Sequence, residues 1–252
     1  MNPGRRPLIG VLGGLGPAAS VDLYAKLVAA TRATGDRDHV RVIIEGDPDV
    51  PDRQAAIAGE GPSAAPALVA KALRLKAAGV DVLAMACHAA HAYRSDIETA
   101  TGLPFISLIE VAVGSAAALA PSSGTVGLLA TPATLDARLY DEPVARAGRR
   151  LVTPDDLAGG RERFMALVWR VKAGDTGSAV RGAMTGLASE LVAAGAEVVI
   201  AACTEVPLVL NETEVSVPLV DATAALAATL IEVGRGAAPQ AHMSLNGKLS
   251  AE

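Results

Sequence analysis

The chain has 252 residues, 51% of them hydrophobic, a formal net charge of −5 and a mean hydropathy of +0.36; this is enough apolar content for one large core or two smaller ones and excludes disorder over most of its length. An isoelectric point of about 5.4 and only 2% aromatic residues exclude nucleic acid as a partner, since there is neither a basic stripe for phosphates nor a set of rings for bases. No apolar stretch approaches the ~18 residues of a membrane span, and two cysteines fit a reducing compartment, so the expected location is the cytoplasm.

The opening stretch RRPLIGVLGGLGPAAS (5–20) has the outline of a secretory or twin-arginine signal. The same residues read as a strand, LIGVLGG (8–14), running into a glycine-rich turn, and this reading is preferred because the fold that follows needs the strand. A helix is predicted from Pro17 to Ala33, with Pro17 near the first position, where proline is favoured. VRVIIEGD (40–47) is the next strand, followed by a helix from Ala64 to Ala78 that Gly79 ends. VDVLAMAC (80–87) and LPFISLIE (103–110) complete the first half. The second half repeats the pattern with TVGLLAT (125–131), RRLVTP (149–154), AEVVIAAC (196–203) and VPLVDAT (217–223). These runs are short, rich in β-branched residues and nearly continuous, as strands buried on both faces are. Alternation with helices predicts an α/β fold. From Ala238 onward the apolar periodicity is lost, which predicts a loose tail.

Laid over each other, the halves match. AAGVDVLAMACH (77–88) aligns with AAGAEVVIAACT (193–204) at an offset of 203 − 87 = 116, and IGVLG (9–13) with VGLLA (126–130) at 126 − 9 = 117. The prolines of LPFISLI and VPLVDAT add a third match at 218 − 104 = 114. A duplicated α/β unit follows: two pseudo-symmetric lobes, each a parallel sheet flanked by helices, with the active site in the cleft between them. The expected boundaries are 1–112 for the N-terminal lobe, joined by the helix 222–236, then 113–221 for the C-terminal lobe and 237–252 for the tail. The duplication sets Cys87 and Cys203 at the C-terminal ends of equivalent strands, the edge at which open α/β sheets bind ligands.

A lone cysteine is most simply a small core residue, and a pair can be a disulfide. Two cysteines at equivalent strand ends, each followed by polar residues (CHAAH and CTE), suit neither reading well, because lobes that face each other across a ligand hold the sulfurs too far apart for a ~2 Å bond. Such a pair suits a reaction in which a proton leaves one face of a carbon and returns on the other. One sulfur is then a thiolate base and the other a thiol acid, and the stereocentre inverts.

IGVLGGLGPAAS, DPDVPDR, MACHAAH, KAGD and AACTEVPLVL occur in an order and spacing that resembles the aspartate/glutamate racemase family, from about Leu8 to Gly236. The resemblance implies a two-lobed amino-acid racemase with one catalytic cysteine per lobe, here Cys87 and Cys203, and with no cofactor and no metal. It also implies a small amino-acid substrate and a homodimer. Arg53 and Lys172 fall where the family holds the substrate's side-chain carboxylate, which implies an acidic substrate; as isolated residues both would be solvated charges. Thr131, Thr204 and Glu205 fall on segments that line the site, with Glu205 placed to hold the substrate ammonium or a neighbouring basic group. Thr204 and Glu205 could equally cap a following helix, and Thr131 could be a plain turn residue before Pro132. Gly14, in the glycine-rich turn, is expected to let the backbone approach the substrate's carboxylate; the G-G-x-G-P spelling is a weak match to a dinucleotide site.

The departure from the family lies after Cys87, where an Asn-Thr pair is replaced by His88 and Ala89. In the family that pair is directed at the substrate's α-carboxylate and ammonium, so His88 is expected to bind substrate; an imidazole can also be charged near neutral pH, and a cationic His88 would lower the neighbouring thiol's pKa. His91 is expected to orient the loop or a thiol. Three other readings stay open: a zinc site built from Cys87, His88 and His91 with Cys203 or Glu205, a cysteine-dependent isomerase or decarboxylase of another carboxylate, and a non-catalytic amino-acid-binding protein.

Overall fold

The computed structural model describes residues 5–120 and 124–239; most of the predicted tail, 240–252, lies outside the described residues. The apolar stretch with the outline of a signal is β1 (Leu8–Leu12), the second strand of a four-stranded sheet. It pairs in parallel with β2 (Arg41–Glu45) on one side and β3 (Val82–Met85) on the other, and β4 (Phe105–Ile106) closes the order β2-β1-β3-β4. The second sheet repeats it: β5 (Thr125–Leu128), β6 (Arg150–Val152), β7 (Val198–Ala201) and β8 (Leu219–Asp221) pair in parallel in the order β6-β5-β7-β8. Strand starts differ by 125 − 8 = 117, 198 − 82 = 116 and 219 − 105 = 114, the offsets seen in the sequence.

Every predicted strand runs past the observed one, and at two of them a capping residue explains where the strand stops. LPFISLIE contributes only Phe105–Ile106 to the sheet, because Ser107 caps α5 (Leu108–Leu119) by accepting from the Glu110 N–H. In VPLVDAT, Asp221 does the same for the Ala224 N–H at the start of α10 (Ala222–Gly234). The first helix, α1, is Pro17–Ala30, three residues shorter than predicted. Between the strands lie α2 (Arg53–Ala58), α3 (Ala65–Ala77), α4 (Arg94–Thr101), α6 (Pro132–Asp136), α7 (Asp141–Arg146), α8 (Gly160–Lys172) and α9 (Ser178–Ala193).

α10 follows the last strand of the second sheet but packs against α1 and β1 of the first. Its last residue, Gly234, sits so close to Val40 that a Cβ would come within 2.6 Å of Val40 Cγ1. With α5 it carries one apolar core across both sheets, containing Ile9, Val11 and Val82 from the first and Val126, Val198 and Ile200 from the second. No helix among the described residues is long and apolar enough to cross a membrane.

Candidate active site

β3 ends at Met85 and β7 at Ala201, so Cys87 and Cys203 each sit two residues past an equivalent strand end. Both are free thiols, only 9% and 6% exposed, and both line one cleft of about 280 Å³ between the lobes.

On the Cys203 side the thiol donates to Glu205 Oε2 at 2.9 Å, and Lys172 Nζ donates to Glu205 Oε1 at 2.6 Å. Burial pushes the Cys203 thiol well up from its ordinary value and the Glu205 charge adds to this, so the sulfur rests protonated. Burial works to lower the Lys172 ammonium, but the Glu205 carboxylate outweighs it and holds Lys172 charged. Charge on either Cys203 or Cys87 would stabilise the same ammonium in smaller part, which sets Lys172 near both sulfurs. Of the two expectations for Glu205, the basic-neighbour one fits: its side chain caps nothing, and Val206–Leu208 is a short 3-10 turn with no side-chain cap. Thr204 Oγ1 lies 3.4 Å from Glu205 Oε2. Gly16 makes room for this ion pair, since a Cβ there would lie 2.7 Å from Glu205 Oε1.

On the Cys87 side, His91 Nδ1 lies 2.8 Å from the Cys87 carbonyl and Nε2 accepts from the Leu108 N–H at 3.1 Å. An acceptor at Nε2 requires the proton on Nδ1, which then donates to the Cys87 carbonyl and fixes the loop. Burial lowers the His91 pKa to about 4. His88 is 2% exposed, and its Nδ1 lies 2.8 Å from the Tyr140 hydroxyl of the other lobe. Burial holds its pKa well below the ordinary value, so of the two charge states open to His88 the neutral one is present, and the ring lends no positive charge to Cys87. The zinc set does not assemble either. Three of the four ring nitrogens of His88 and His91 turn to separate partners, and among the described residues no group of three or more His, Cys, Asp or Glu could hold a metal ion.

Arg53, first residue of α2, lines the cleft while donating through Nη1 to the Val50 and Pro51 carbonyls and through Nη2 to the Leu15 carbonyl. Thr131 also lines it, its hydroxyl 3.1 Å from that of Thr134. Gly14 does not. Its N–H donates to Ser20 Oγ at 2.9 Å, and at φ +78° a Cβ would lie 2.3 Å from the Asp47 carbonyl oxygen. The close approach seen at this glycine is to the Gly46–Asp47 backbone, and Gly14 lines a neighbouring pocket of about 210 Å³ together with Arg53, Lys172 and Glu205.

Several residues of the site escaped sequence reasoning. Lys71, 1% exposed, donates to the Gly13 and Asp47 carbonyls at 2.8 and 2.5 Å and pairs with Glu45 at 3.0 Å, tying the glycine-rich turn to the loop that leads into Arg53. Gln54 Oε1 accepts from the Ala133 N–H at 2.9 Å and links the lobes across the cleft. Met165, Val168 and Trp169 of α8 form the apolar wall; their helical spacing gave no sign of more than core packing. Tyr140 gave no signal at all.

The family description Asp/Glu/Hydantoin racemase matches the chain over residues 12–230. The broad specificity amino-acid racemase RacX of Bacillus subtilis (strain 168) is 23% identical over 231 residues, 89% of this chain and 96% of that protein. The structure of Picrophilus torridus aspartate racemase superposes with a TM-score of 0.81 at 28% identity, covering 91% of this chain and 94% of that one. The glutamate racemase of Francisella tularensis subsp. tularensis SCHU S4, solved with D-glutamate, shares the fold at a TM-score of 0.67 and 18% identity, over 90% and 81% of the two chains. With the match spanning both lobes and both cysteine segments, the chain belongs to the Asp/Glu/hydantoin racemase family and is an enzyme of the isomerase class.

Proposed function

We propose that the protein is a cytoplasmic, cofactor-independent racemase that inverts the α-carbon of an acidic amino acid between Cys87 and Cys203. The observation that carries this is the pair of free thiols at equivalent strand ends on one cleft. In one direction the Cys87 thiolate takes the α-proton, so that the Cα–H bond breaks and an S–H bond forms, while the Cys203 thiol delivers its proton to the opposite face. In the other direction the roles exchange: Glu205, 2.9 Å from the Cys203 sulfur, draws the proton off Cys203 while Cys87 takes one from solvent. The Cys203 thiolate then removes the α-proton, the Cys87 thiol delivers its own to the opposite face, and Glu205 returns its proton to solvent. Lys172, charged and near both sulfurs, stabilises whichever thiolate is present.

Arg53 and Lys172 hold the substrate's side-chain carboxylate. The donor inventory supports this: three of the five guanidinium hydrogens of Arg53 go to backbone carbonyls, leaving Nε–H and one Nη2–H on neighbouring nitrogens. Lys172 keeps two further hydrogens beyond the one given to Glu205. Thr131 and Thr204 offer hydroxyls along the same wall.

The active form is a homodimer. Support comes from α1, whose exposed face, Pro17, Ala18, Val21, Tyr24, Ala25, Val28 and Ala29, contains no charge over the whole helix.

Proton NMR in deuterated buffer tests the activity, using L- and D-Asp and Glu and then a panel of other amino acids without added cofactor. Deuterium entering at the α-carbon of both enantiomers is expected, fastest for an acidic substrate; no exchange across the panel contradicts the reading.

A further inference from the structure

His88 occupies a position that the proposed reaction does not yet use. It lines the cleft beside Cys87, it is 2% exposed, and its ring stacks on Tyr140 with centroids 5.9 Å apart and planes inclined by 25°. Nδ1 meets the Tyr140 hydroxyl at 2.8 Å, whereas Nε2 is buried with no hydrogen-bond partner. A buried polar atom left in this way is destabilising unless something outside the chain completes it.

Counting hydrogens decides which tautomer is present. If Nδ1 carried the proton and donated to Tyr140, the phenolic hydrogen would be left in the core without an acceptor, since Tyr140 Oη has no other partner among the described residues. The Nε2 lone pair would be orphaned as well. If Tyr140 donates to Nδ1, the phenolic hydrogen is satisfied and one donor remains open, the Nε2–H. Burial keeps Tyr140 protonated and negative charge on Cys203 adds to this, so the phenol stays a donor throughout the reaction.

We propose that Tyr140 locks His88 in the Nε2–H tautomer and so holds this N–H as a hydrogen-bond donor for a carboxylate of the substrate in the cleft. The proposal rests on the amino-acid substrate argued above. Tyr140 is a positioning residue, acting from one lobe on a group of the other, and His88 is the group that touches the substrate. A neutral donor binds the carboxylate without changing the charge beside Cys87.

Histidine-selective nitrogen-15 NMR of the full chain tests this. The chain has four histidines, and His88→Gln assigns the relevant signals. The expected result is opposite tautomers at the two buried rings, Nδ1–H at His91 and Nε2–H at His88. Racemic aspartate, already at equilibrium, should shift the His88 Nε2–H. Tyr140→Phe should relax His88 to a tautomer mixture, leave His91 unchanged, and raise KM about 10-fold with a smaller effect on kcat, the scale of one hydrogen bond to a charged group. His88→Gln, which keeps an N–H at similar reach, should bind better than His88→Phe. An Nδ1–H tautomer at His88, or a tautomer and KM unmoved by Tyr140→Phe, overturns the proposal. If the wild-type protein exchanges no α-proton with any amino acid, the racemase reading fails separately; the donor is then judged by the aspartate-induced shift alone, and its absence overturns the donor too.

Discussion

Lys71→Met isolates the clamp beneath the glycine-rich turn. The buried ammonium donates to Gly13 O at 2.8 Å and to Asp47 O at 2.5 Å, and pairs with Glu45 at 3.0 Å. Methionine fills the space of the stem but leaves two carbonyls without their donor and Glu45 short of one partner. Removing one member of a buried pair destabilises by about 3–5 kcal/mol. Glu45 is 18% exposed and keeps Arg74 as a counter-ion, so the lower end applies, about 3 kcal/mol. For a chain of this size each kcal/mol moves Tm by about 2–4 °C, and a fall of about 6–12 °C is expected. The function should follow, because Lys71 holds Gly13 against the loop at Asp47 that follows β2 while the Leu15 carbonyl downstream of Gly13 receives Arg53. KM should therefore rise in the surviving folded enzyme. Urea and thermal denaturation followed by circular dichroism, together with kinetics below the new Tm, read both effects. A loss of stability under about 1 kcal/mol would refute the reasoning and make Lys71 an ordinary solvated lysine that happens to be covered.

Three further outcomes follow from the same geometry. His91 is held neutral with a pKa lowered from 6.5 to about 4, so between those values the unfolded chain binds more protons. Its contribution to stability is complete above pH 6.5 and is lost as pH falls toward 4, about 3 kcal/mol in total; denaturation measured at steps of pH should show that decline, and His91→Gln should flatten it. Gly16→Ala brings a Cβ to 2.7 Å from Glu205 Oε1, which should displace the carboxylate from Cys203 and reduce kcat by at least tenfold while Tm changes little; an unchanged kcat would separate Glu205 from proton transfer. Val21→Glu on the exposed face of α1, where Val21 is 70% exposed, should convert dimer to monomer in sedimentation analysis without loss of fold, and an unchanged sedimentation coefficient would move the interface elsewhere.

The sheets were legible because parallel strands buried on both faces leave continuous apolar runs, and because three of the four strand pairs keep nearly one offset between the halves. The fourth pair, β2 and β6, starts 150 − 41 = 109 residues apart and was not matched, since the connections around it differ in length. Capping defeated the run at 103–110: apolar residues continue through Ser107, but its hydroxyl starts a helix that the pattern S-L-I-E announces. The cysteines could be found because duplication makes a repeated residue stand out. Tyr140 could not, since its role is one contact across 52 positions of sequence. Nor could Lys71, whose burial is decided by the turn it fills. Gly14 and Gly16 look alike in sequence, yet one approaches the Asp47 backbone and the other the Lys172–Glu205 ion pair.

The central claim is that two thiols work on opposite faces of one carbon, and α-proton exchange in deuterated buffer with Cys87→Ala and Cys203→Ala, each offered pure L- and pure D-substrate, tests it most directly. The account predicts that both variants lose racemisation in both directions while still binding substrate, so that no inverted, deuterated product forms from either enantiomer. Inversion that persists in either single variant would contradict it.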